Sequence, residues 1–305
     1  MTNEAPVSVA VIGLGSMGLG IANSIAKRQI PVAGFDLDAD ALAAVGRVGR
    51  AAASAADAAN ACGIAIVVVV NALQTRAVLF GEGGVARAMK RGGVIISCAT
   101  MAPDDARGLA RDAEAQGLLF LDAPISGGAA KANDGQLTVM ASGSPEAFTR
   151  ARPALDAMAA KVYELGDAAG IGASFKMVNQ LLAGVHIAAA SEALTFAAKL
   201  GLDLSKVYEV ITASAGNSWM FENRGSHIVE GDYRPRSAVS IFTKDLGIVS
   251  DMARKENFPL QIASTALQLF LMTAAAGMER DDDSSVARMI ASVTGVALPG
   301  PRAES

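Results

Sequence analysis

The stretch VAVIGLGSMGLG, residues 9–20, constrains the fold more than any other part of the chain. Four apolar residues lead into three closely spaced glycines, and a segment of helix-forming residues follows. A short run of continuous apolar residues is typical of a strand buried on both faces, and a helix directly after it begins a βαβ unit. The stretch therefore predicts a parallel sheet covered by helices.

The same alternation of apolar strands and helices continues through the first half of the chain. The predicted strands are 7–12, 32–35, 64–70, 94–97 and 119–122, followed by two later ones at 137–141 and 162–165. The predicted helices between them include 17–27, 41–45 and 103–114. We therefore predict an N-terminal α/β domain with a doubly wound parallel sheet of the Rossmann type.

The pattern changes near residue 168, after which the sequence contains no convincing strand. A long segment rich in alanine and leucine, 175–200, predicts a helix about 39 Å long. A chain of 305 residues exceeds the usual size of one hydrophobic core, so two domains are expected. We assign residues 1–168 to the Rossmann domain and 169–305 to an all-α domain for substrate binding and oligomerisation, joined through the long interdomain helix.

Composition excludes several classes of function. The chain has 26 basic and 30 acidic residues and no long basic run, so we expect no nucleic-acid partner. The longest strongly apolar run, 64–70, is too short to cross a bilayer, so we expect no membrane partner. Two cysteines in a chain of this length indicate a reducing compartment, and we expect a cytoplasmic protein. His186 and His227 lack cysteine or carboxylate neighbours at ligand spacing, so we expect no metal site and structural roles for both.

Gly13, Gly15 and Gly18 have the spacing of a dinucleotide-binding loop. In such a loop the glycines permit a tight turn, close approach of a pyrophosphate to the backbone, and close contact between helix and strand. The amides of Ser16 and Met17 open the helix, where the helix dipole favours the negative pyrophosphate. The alternative is a plain strand-to-helix turn.

Asp36 ends the second predicted strand, 18 positions after Gly18. A carboxylate there accepts hydrogen bonds from the adenosine ribose hydroxyls and repels a 2′-phosphate. The next residue is Leu37 rather than arginine, so NAD is favoured over NADP as the cofactor. Asn71, Ala72 and Leu73 follow the third long strand and are expected to line the cofactor crevice, because open α/β sheets bind ligands at the carboxyl ends of their strands.

Three further motifs appear in order after the glycine loop: FLDAPISGG at 120–128, GIGASFKMVNQLLAG at 170–184 and FTKDLG at 242–247. Together with the glycine loop they resemble the β-hydroxyacid dehydrogenase family, which includes 3-hydroxyisobutyrate dehydrogenase and tartronate semialdehyde reductase. The resemblance extends from residue 7 to about residue 290. It implies an NAD-dependent oxidoreductase that forms a homodimer or homotetramer.

Lys176 is the residue that we expect to perform acid–base catalysis. It lies near the start of the long apolar helix, flanked by Phe175 and Met177, where burial would lower the pKa of its ammonium from about 10.4 toward neutrality. Asn179 and Gln180 share its helix face and carry amides suited to a substrate hydroxyl or carboxylate. The alternative from the residues alone is a lysine that extends to solvent, whereas the resemblance implies catalytic Lys176 with Asn179, or else Gln180, as its partner.

Ser126, Gly127 and Gly128 form a turn whose amides and hydroxyl can bind a carboxylate. The alternative is a β-turn whose glycines serve only its backbone conformation, and the resemblance implies that this turn holds the substrate carboxylate.

The resemblance also implies that Thr100 contacts the nicotinamide end of the cofactor, that Lys244 reaches the cofactor, and that Asp245 contributes to the substrate site. The alternative for Lys244 and Asp245 is an ordinary solvated charge pair. Asn217, with Ser218 and Trp219, forms a polar-aromatic cluster that suits a polyhydroxylated substrate. The alternative for the tryptophan is core packing.

These residues together predict oxidation of a small hydroxy acid by hydride transfer to NAD. Within the family, the segments KMVNQLLAGVHIAAASEAL at 176–194 and GNSWMFENR at 216–224 most resemble members that act on L-threonate, so the resemblance implies oxidation of L-threonate at C2 to 2-oxo-tetronate. The polar 217–223 segment also suits a polyol better than a methyl-bearing acid. The alternatives are 3-hydroxyisobutyrate or tartronate semialdehyde as substrate, or a non-catalytic NAD-binding sensor or scaffold.

Overall fold

The computed structural model describes residues 7–300, so the first six and last five residues of the two predicted domains lie outside the described part. The chain divides into two compact units, residues 1–176 and 177–305. The division falls beyond residue 168 because the first turn of the long helix is hydrogen-bonded to the first unit, as described below.

The first unit is built on a six-stranded, fully parallel sheet with strand order β3-β2-β1-β4-β5-β6. Strands β1, β4 and β5 are buried at every position, which explains their continuous apolar sequences. This confirms the predicted doubly wound sheet. The strands are β1 Val9–Ile12, β2 Val32–Phe35, β3 Arg50–Ala51, β4 Ile64–Val67, β5 Val94–Ser97 and β6 Leu119–Asp122.

Helices cover both faces of this sheet and bury two apolar clusters against it. Several of these helices begin at a side-chain cap. The side chains of Asp38, Ser54 and Asn71 each accept a hydrogen bond from a backbone amide in the first turn of the helix that follows. The helices are α1 Ser16–Lys27, α2 Ala39–Val45, α3 Ala55–Ala59, α4 Ala72–Phe80, α5 Val85–Ala88 and α6 Pro103–Glu114.

A smaller, three-stranded sheet completes the first unit. Strand β7, Ile125–Ser126, pairs antiparallel with β8, Leu137–Ala141, and β9, Ala159–Glu164, pairs parallel with β8. Helices α7, Gly128–Asn133, and α8, Pro145–Met158, connect these strands. The two-residue strands β3 and β7 were absent from the sequence prediction because neither forms an apolar run long enough to be recognised.

The second unit is helical throughout its described residues, as predicted. Helix α9, Ile171–Lys199, is 29 residues long and begins four residues before the predicted start. The helices that follow are α10 Leu204–Thr212, α11 Trp219–Glu230, α12 Val239–Lys255, α13 Gln261–Thr273 and α14 Val286–Thr294, with a π-helical turn Ala274–Met278 and a 3₁₀ turn Asp283–Ser285.

Two of these helical stretches, Ile171–Lys199 and Gln261–Met278, are long and apolar enough to cross a membrane by length and composition alone. Neither is an uninterrupted apolar run, because polar residues lie within both stretches, and the sequence prediction therefore did not include them. Half of the most apolar window of Ile171–Lys199 is buried, as in the core helix of a globular domain, whereas only 22% of that of Gln261–Met278 is buried.

A buried cluster of charged groups fixes the middle of the second unit. Arg224 Nε donates to Asp283 Oδ1 at 2.5 Å, and His227 Nδ1 lies 2.9 Å from Asp282 Oδ1. Asp282 also accepts from the Ser284 hydroxyl at 2.6 Å. His227 is therefore held in a structural network.

We predict that Arg224→Leu destabilises the second unit by about 3–5 kcal/mol, because it leaves the buried Asp283 carboxylate without its cation. Burial raises the pKa of Asp283 to about 6, so the loss should be smaller below pH 6, where the carboxyl accepts a proton. Thermal and denaturant unfolding measure both effects.

Arg254→Leu is the matched control, because its 3.5 Å pair with Asp251 is exposed. We expect a change of less than about 1 kcal/mol. Equal losses for Arg224→Leu and Arg254→Leu would contradict the structural role of the buried pair.

Candidate active site

The glycine loop between β1 and α1 has the geometry of a dinucleotide site. Gly13 has φ +89°, and a Cβ there would lie 2.6 Å from the Val68 carbonyl oxygen. A Cβ on Gly18 would lie 1.8 Å from the Gly13 oxygen, whereas one on Gly15 would meet nothing within 4 Å. The loop is therefore closed on the side of the sheet and open at Gly15. Helix α1 begins at Ser16 with no acidic residue in its first turn, which leaves its amino end suited to an anion.

Asp36 is held directly beside this loop. Its Oδ2 accepts from the Leu14 amide at 2.5 Å, and its Oδ1 accepts from the Asp38 amide at 3.0 Å. Each carboxylate oxygen has a further lone pair for a ribose hydroxyl. Leu37 is 93% exposed, and Asp38 and Asp40 follow it, so this edge carries negative rather than positive charge. The open glycine turn, the helix start and the oriented carboxylate together fit NAD.

The other residues predicted to meet the cofactor lie after neighbouring strands of the same sheet. Asn71, Ala72 and Leu73 follow β4, and Thr100 follows β5. Because parallel strands end at one edge of the sheet, these residues lie along the edge that also carries the glycine loop. The Asn71 side chain caps α4 by accepting from the Gln74 amide at 2.8 Å, a helix-capping role that the sequence argument missed.

The Lys176 side chain is buried, at 7% exposure, and its Nζ donates to the Ile125 carbonyl oxygen at 2.8 Å. The alternative of a lysine extending into solvent is therefore excluded in this structure. Ile125 directly precedes Ser126, so the contact brings Lys176 Nζ to the strand that leads into the Ser126–Gly128 turn.

The turn itself connects β7 to α7. Gly127 and Gly128 have φ values of 138° and 80°, which favour glycine at both positions. A Cβ on Gly128 would meet nothing within 4 Å, so one side of the turn is open. The turn therefore needs glycine for its backbone conformation and also leaves room for a carboxylate, so the two alternatives do not exclude each other.

Asp122 is a buried group near Lys176 that the sequence argument did not select. Its Oδ2 accepts from the amides of Gly170 and Ala173, both at 2.8 Å, at the start of α9. Burial raises the pKa of Asp122 to about 6, while the amide hydrogen bonds act in the opposite direction. The available signal was an acidic residue ending an otherwise apolar strand.

In the second unit, four predicted residues form a continuous chain of polar contacts. Asn179 Nδ2 donates to Gln180 Oε1 at 2.9 Å, and Gln180 Nε2 donates to Asp245 Oδ2 at 2.5 Å. Lys244 Nζ lies 2.9 Å from Asp245 Oδ1. Because the Asp245 side chain is only 1% exposed, this is not the ordinary solvated charge pair of the alternative reading.

Asn217 is bonded within its own loop. Its Nδ2 donates to the Thr212 carbonyl oxygen at 3.0 Å and to Glu222 at 2.6 Å, and Ser218 caps α11. Trp219 is 51% exposed, which excludes the core-packing alternative. A contact from Asn217 to substrate stays a prediction.

Among the described residues there is no group of three or more metal-ligating side chains. Burial raises the pKa of Cys98 to about 12, so its thiol stays protonated and is unsuited to nucleophilic chemistry. The groups that the candidate site offers are the Lys176 amine, side-chain amides, hydroxyls, backbone amides and the carboxylates of Asp122 and Asp245. This set is suited to proton transfer and to binding an anionic substrate.

Two family profiles match consecutive parts of the chain. The NAD binding domain of 6-phosphogluconate dehydrogenase matches residues 8–166. The profile described as NAD-binding of NADP-dependent 3-hydroxyisobutyrate dehydrogenase matches residues 170–290.

Full-length relatives are similar to the whole chain. The L-threonate dehydrogenase of Haemophilus influenzae is 50% identical over 295 residues, which cover 96% of this chain and 97% of that protein. The L-threonate dehydrogenase of Escherichia coli K12 is 47% identical over 304 residues, 99% of this chain and 100% of that protein. The crystal structure of 3-hydroxyisobutyrate dehydrogenase from Salmonella typhimurium has 49% identity and a TM-score of 0.89, covering 93% of this chain and 99% of that one.

The glycine loop provides a matched pair of variants. We predict that Gly15→Ala leaves the unfolding temperature unchanged but weakens NAD binding at least about tenfold, because a methyl group occupies the open side of the turn. Gly18→Ala should instead lower the unfolding temperature, because its methyl group collides with the Gly13 backbone. Calorimetry of unfolding and of NAD binding separates the two. Equal effects of both variants on stability would contradict the assignment.

The raised pKa of Asp122 predicts a pH effect on stability. An acid whose pKa is higher in the folded than in the unfolded chain makes folding less favourable as pH rises between about 4 and about 6. We expect the free energy of unfolding of the wild type to fall by up to about 3 kcal/mol over this interval, and we expect no such fall in Asp122→Asn. The measurement is the difference between the unfolding free energies of wild type and Asp122→Asn against pH. A flat difference would contradict the prediction.

Proposed function

Because the chain belongs to the β-hydroxyacid dehydrogenase family, an NAD-dependent family of oxidoreductases, we propose that it oxidises L-threonate at C2 to 2-oxo-tetronate. Support for the substrate comes from full-length relatives named L-threonate dehydrogenase at 46–50% identity. The family membership and the dehydrogenase activity predicted from the sequence motifs are thereby confirmed. The alternative of a non-catalytic NAD-binding protein is accordingly not favoured.

The observation that carries the mechanism is the buried Lys176 amine beside the Ser126–Gly128 turn. We assign the hydroxyl group and amides of this turn to the substrate carboxylate. The neutral Lys176 amine then takes the proton from the C2 hydroxyl while C2 becomes a carbonyl carbon. The glycine loop and Asp36 would hold NAD, which would supply the acceptor for the C2 hydrogen and its electron pair. In the reverse reaction, reduction of the C2 carbonyl, protonated Lys176 donates a proton to the oxygen on C2.

Asn179 is assigned to the C2 hydroxyl. It lies three residues after Lys176 in one continuous helix, a spacing that puts both side chains on one face. The amide of Gln180 is bonded at both ends, to Asn179 and to Asp245. These bonds favour Gln180 as the group that orients Asn179, rather than as the first contact of the substrate.

We also retain the assignments that the family resemblance implies. Lys244 and Thr100 would contact the cofactor, while Asp245 and Asn217 would contribute to the substrate site. For Asp245 the support is its burial and its bond to Gln180.

NAD rather than NADP is the proposed cofactor. Asp36 offers two acceptor oxygens to the ribose, and a 2′-phosphate would meet the negative charges of Asp36, Asp38 and Asp40.

A soluble, cytoplasmic homodimer or homotetramer is the proposed state of the protein. Exposed apolar side chains on α9 and α13, such as Phe196 and Ile262, support burial against a second copy. Both cysteines are unpaired and buried, which supports a reducing compartment.

The second candidate substrate is 3-hydroxyisobutyrate. It is favoured by the similarity to the 3-hydroxyisobutyrate dehydrogenase of Salmonella typhimurium, at 49% identity. A polar 217–223 segment with a half-exposed tryptophan supports the polyol instead.

We predict that Lys176→Ala lowers kcat for the best substrate by several orders of magnitude, because the reaction then lacks its proton acceptor. NAD affinity should stay within about twofold, since the glycine loop and Asp36 are untouched. The assay is NADH absorbance with a panel of L-threonate, other sugar acids, 3-hydroxyisobutyrate and tartronate semialdehyde, each tested in its reactive direction with NAD and with NADP.

Lys199→Ala is the matched control, because Lys199 is an exposed lysine at the far end of the same helix. It should retain wild-type kcat. Turnover by Lys176→Ala within about tenfold of wild type would exclude the proposed base. A higher kcat/KM for 3-hydroxyisobutyrate than for L-threonate would favour the second candidate substrate.

A further inference from the structure

We propose that Asp122 is a positioning residue for Lys176: it fixes the start of helix α9 so that the lysine amine reaches the strand before the Ser126–Gly128 turn. This inference rests on the proposed role of Lys176 as the catalytic base. It concerns a residue that takes no part in the chemistry itself.

Helix α9 is capped from outside its own sequence. A helix start usually obtains its first hydrogen-bond acceptors from a serine, threonine, aspartate or asparagine at the N-cap, but the residue before α9 is Gly170. Its amides instead bond to groups far away in sequence. Asp122 accepts from Gly170 and Ala173, and the Ser142 hydroxyl accepts from Gly172 at 2.9 Å.

Asp122 and Lys176 close a short ring of contacts. Ile125 lies three positions after Asp122 along the chain, and Lys176 lies three positions after Ala173 along the helix, a rise of about 4.5 Å. The ring is closed at one end by the bond from the Ala173 amide to Asp122, and at the other by the bond from Lys176 Nζ to the Ile125 oxygen. The position of the amine therefore depends on where the carboxylate holds the first turn.

Both sides of this ring are firmly supported. The Asp122 backbone exchanges two hydrogen bonds with Ser142, and the Ala123 amide donates to the Ser97 oxygen at 2.9 Å. A Cβ on Gly172 would lie 2.4 Å from the Met140 oxygen and 2.7 Å from the Asp122 oxygen, so the helix start is in direct contact with the strand ends. Because of this contact, the first turn of α9 cannot move closer to the strand ends.

The nature of Asp122 suits this purpose. A buried carboxylate oxygen accepts two amide hydrogen bonds at the positive end of the helix dipole, whereas alanine would accept none. Asparagine keeps a carbonyl oxygen of the same size and position. The pair Asp122→Asn and Asp122→Ala therefore separates the cap from the charge.

The experiment measures kcat, the KM for NAD and the unfolding temperature of Asp122→Ala, Asp122→Asn and Ser54→Ala. Ser54→Ala removes the cap of α3 in the same unit and serves as the control for cap loss alone. We expect Asp122→Ala to lower kcat about 10- to 100-fold with the KM for NAD within about twofold. Asp122→Asn should recover kcat to within about threefold of wild type, and Ser54→Ala should leave it unchanged.

The double variant Asp122→Ala/Lys176→Ala, assayed at high enzyme concentration, tests whether Asp122 acts through the lysine. A positioning role predicts that adding Asp122→Ala to Lys176→Ala costs less than about twofold in kcat, because the group being positioned is already gone. Full additivity of the two losses overturns the inference. An active Lys176→Ala single variant instead overturns the proposed function, so the two failures are distinguishable.

If Asp122→Ala does not fold, Ser142→Ala is the second variant, because it removes the bond to the Gly172 amide and the 3.5 Å contact with Asp122 Oδ2 but leaves the Asp122 carboxylate in place. We expect a smaller decrease of kcat, about 3- to 10-fold, again with the KM for NAD unchanged. Wild-type kcat in a folded Ser142→Ala or Asp122→Ala protein overturns the inference.

Discussion

The attachment of helix α9 to the end of strand β6 is the interaction on which the candidate site depends. Two amide hydrogen bonds to one buried carboxylate determine the position of the first turn. Lys176 follows Ala173 within the next turn of the same helix, so its position depends on that of the first turn. A single acidic residue, remote in sequence, would thus position the proposed base.

Local sequence patterns were sufficient for the features that repeat along the chain. Strands β1, β4 and β5 are buried at every position, so their sequences are continuously apolar and readily recognised. The glycine loop could also be predicted from sequence, because the need for glycine at position 18 arises from a contact with the nearby Gly13 backbone. Resemblance to a known family then supplied roles for residues whose chemistry alone left alternatives open, such as Lys244.

Features that depend on long-range contacts could not be predicted in this way. Strand β7 is only two residues long and exists because it pairs with β8. The cap of α9 joins residues about fifty positions apart, and no local pattern records such a bond. The same holds for Gln180, whose partner Asp245 lies 65 positions along the chain and turns an apparent substrate ligand into a candidate for orienting Asn179. For Lys176 the residues alone left burial and extension into solvent both open, and the structure shows burial.

The starts of α1 and α9 show two uses of the same physical feature. The N-cap of α1 is Gly15, which contributes no side-chain acceptor, and the first turn carries no acidic residue. Such a helix start remains suited to an external anion, which is what a dinucleotide pyrophosphate supplies. At α9 the equivalent amides are already bonded to Asp122 and Ser142, so this helix start gives up anion binding in exchange for a fixed position. The contrast follows from hydrogen bonding. An anion-binding helix start needs amide donors that are not already bonded, whereas a helix start that positions the proposed catalytic lysine needs its amide donors bonded within the protein.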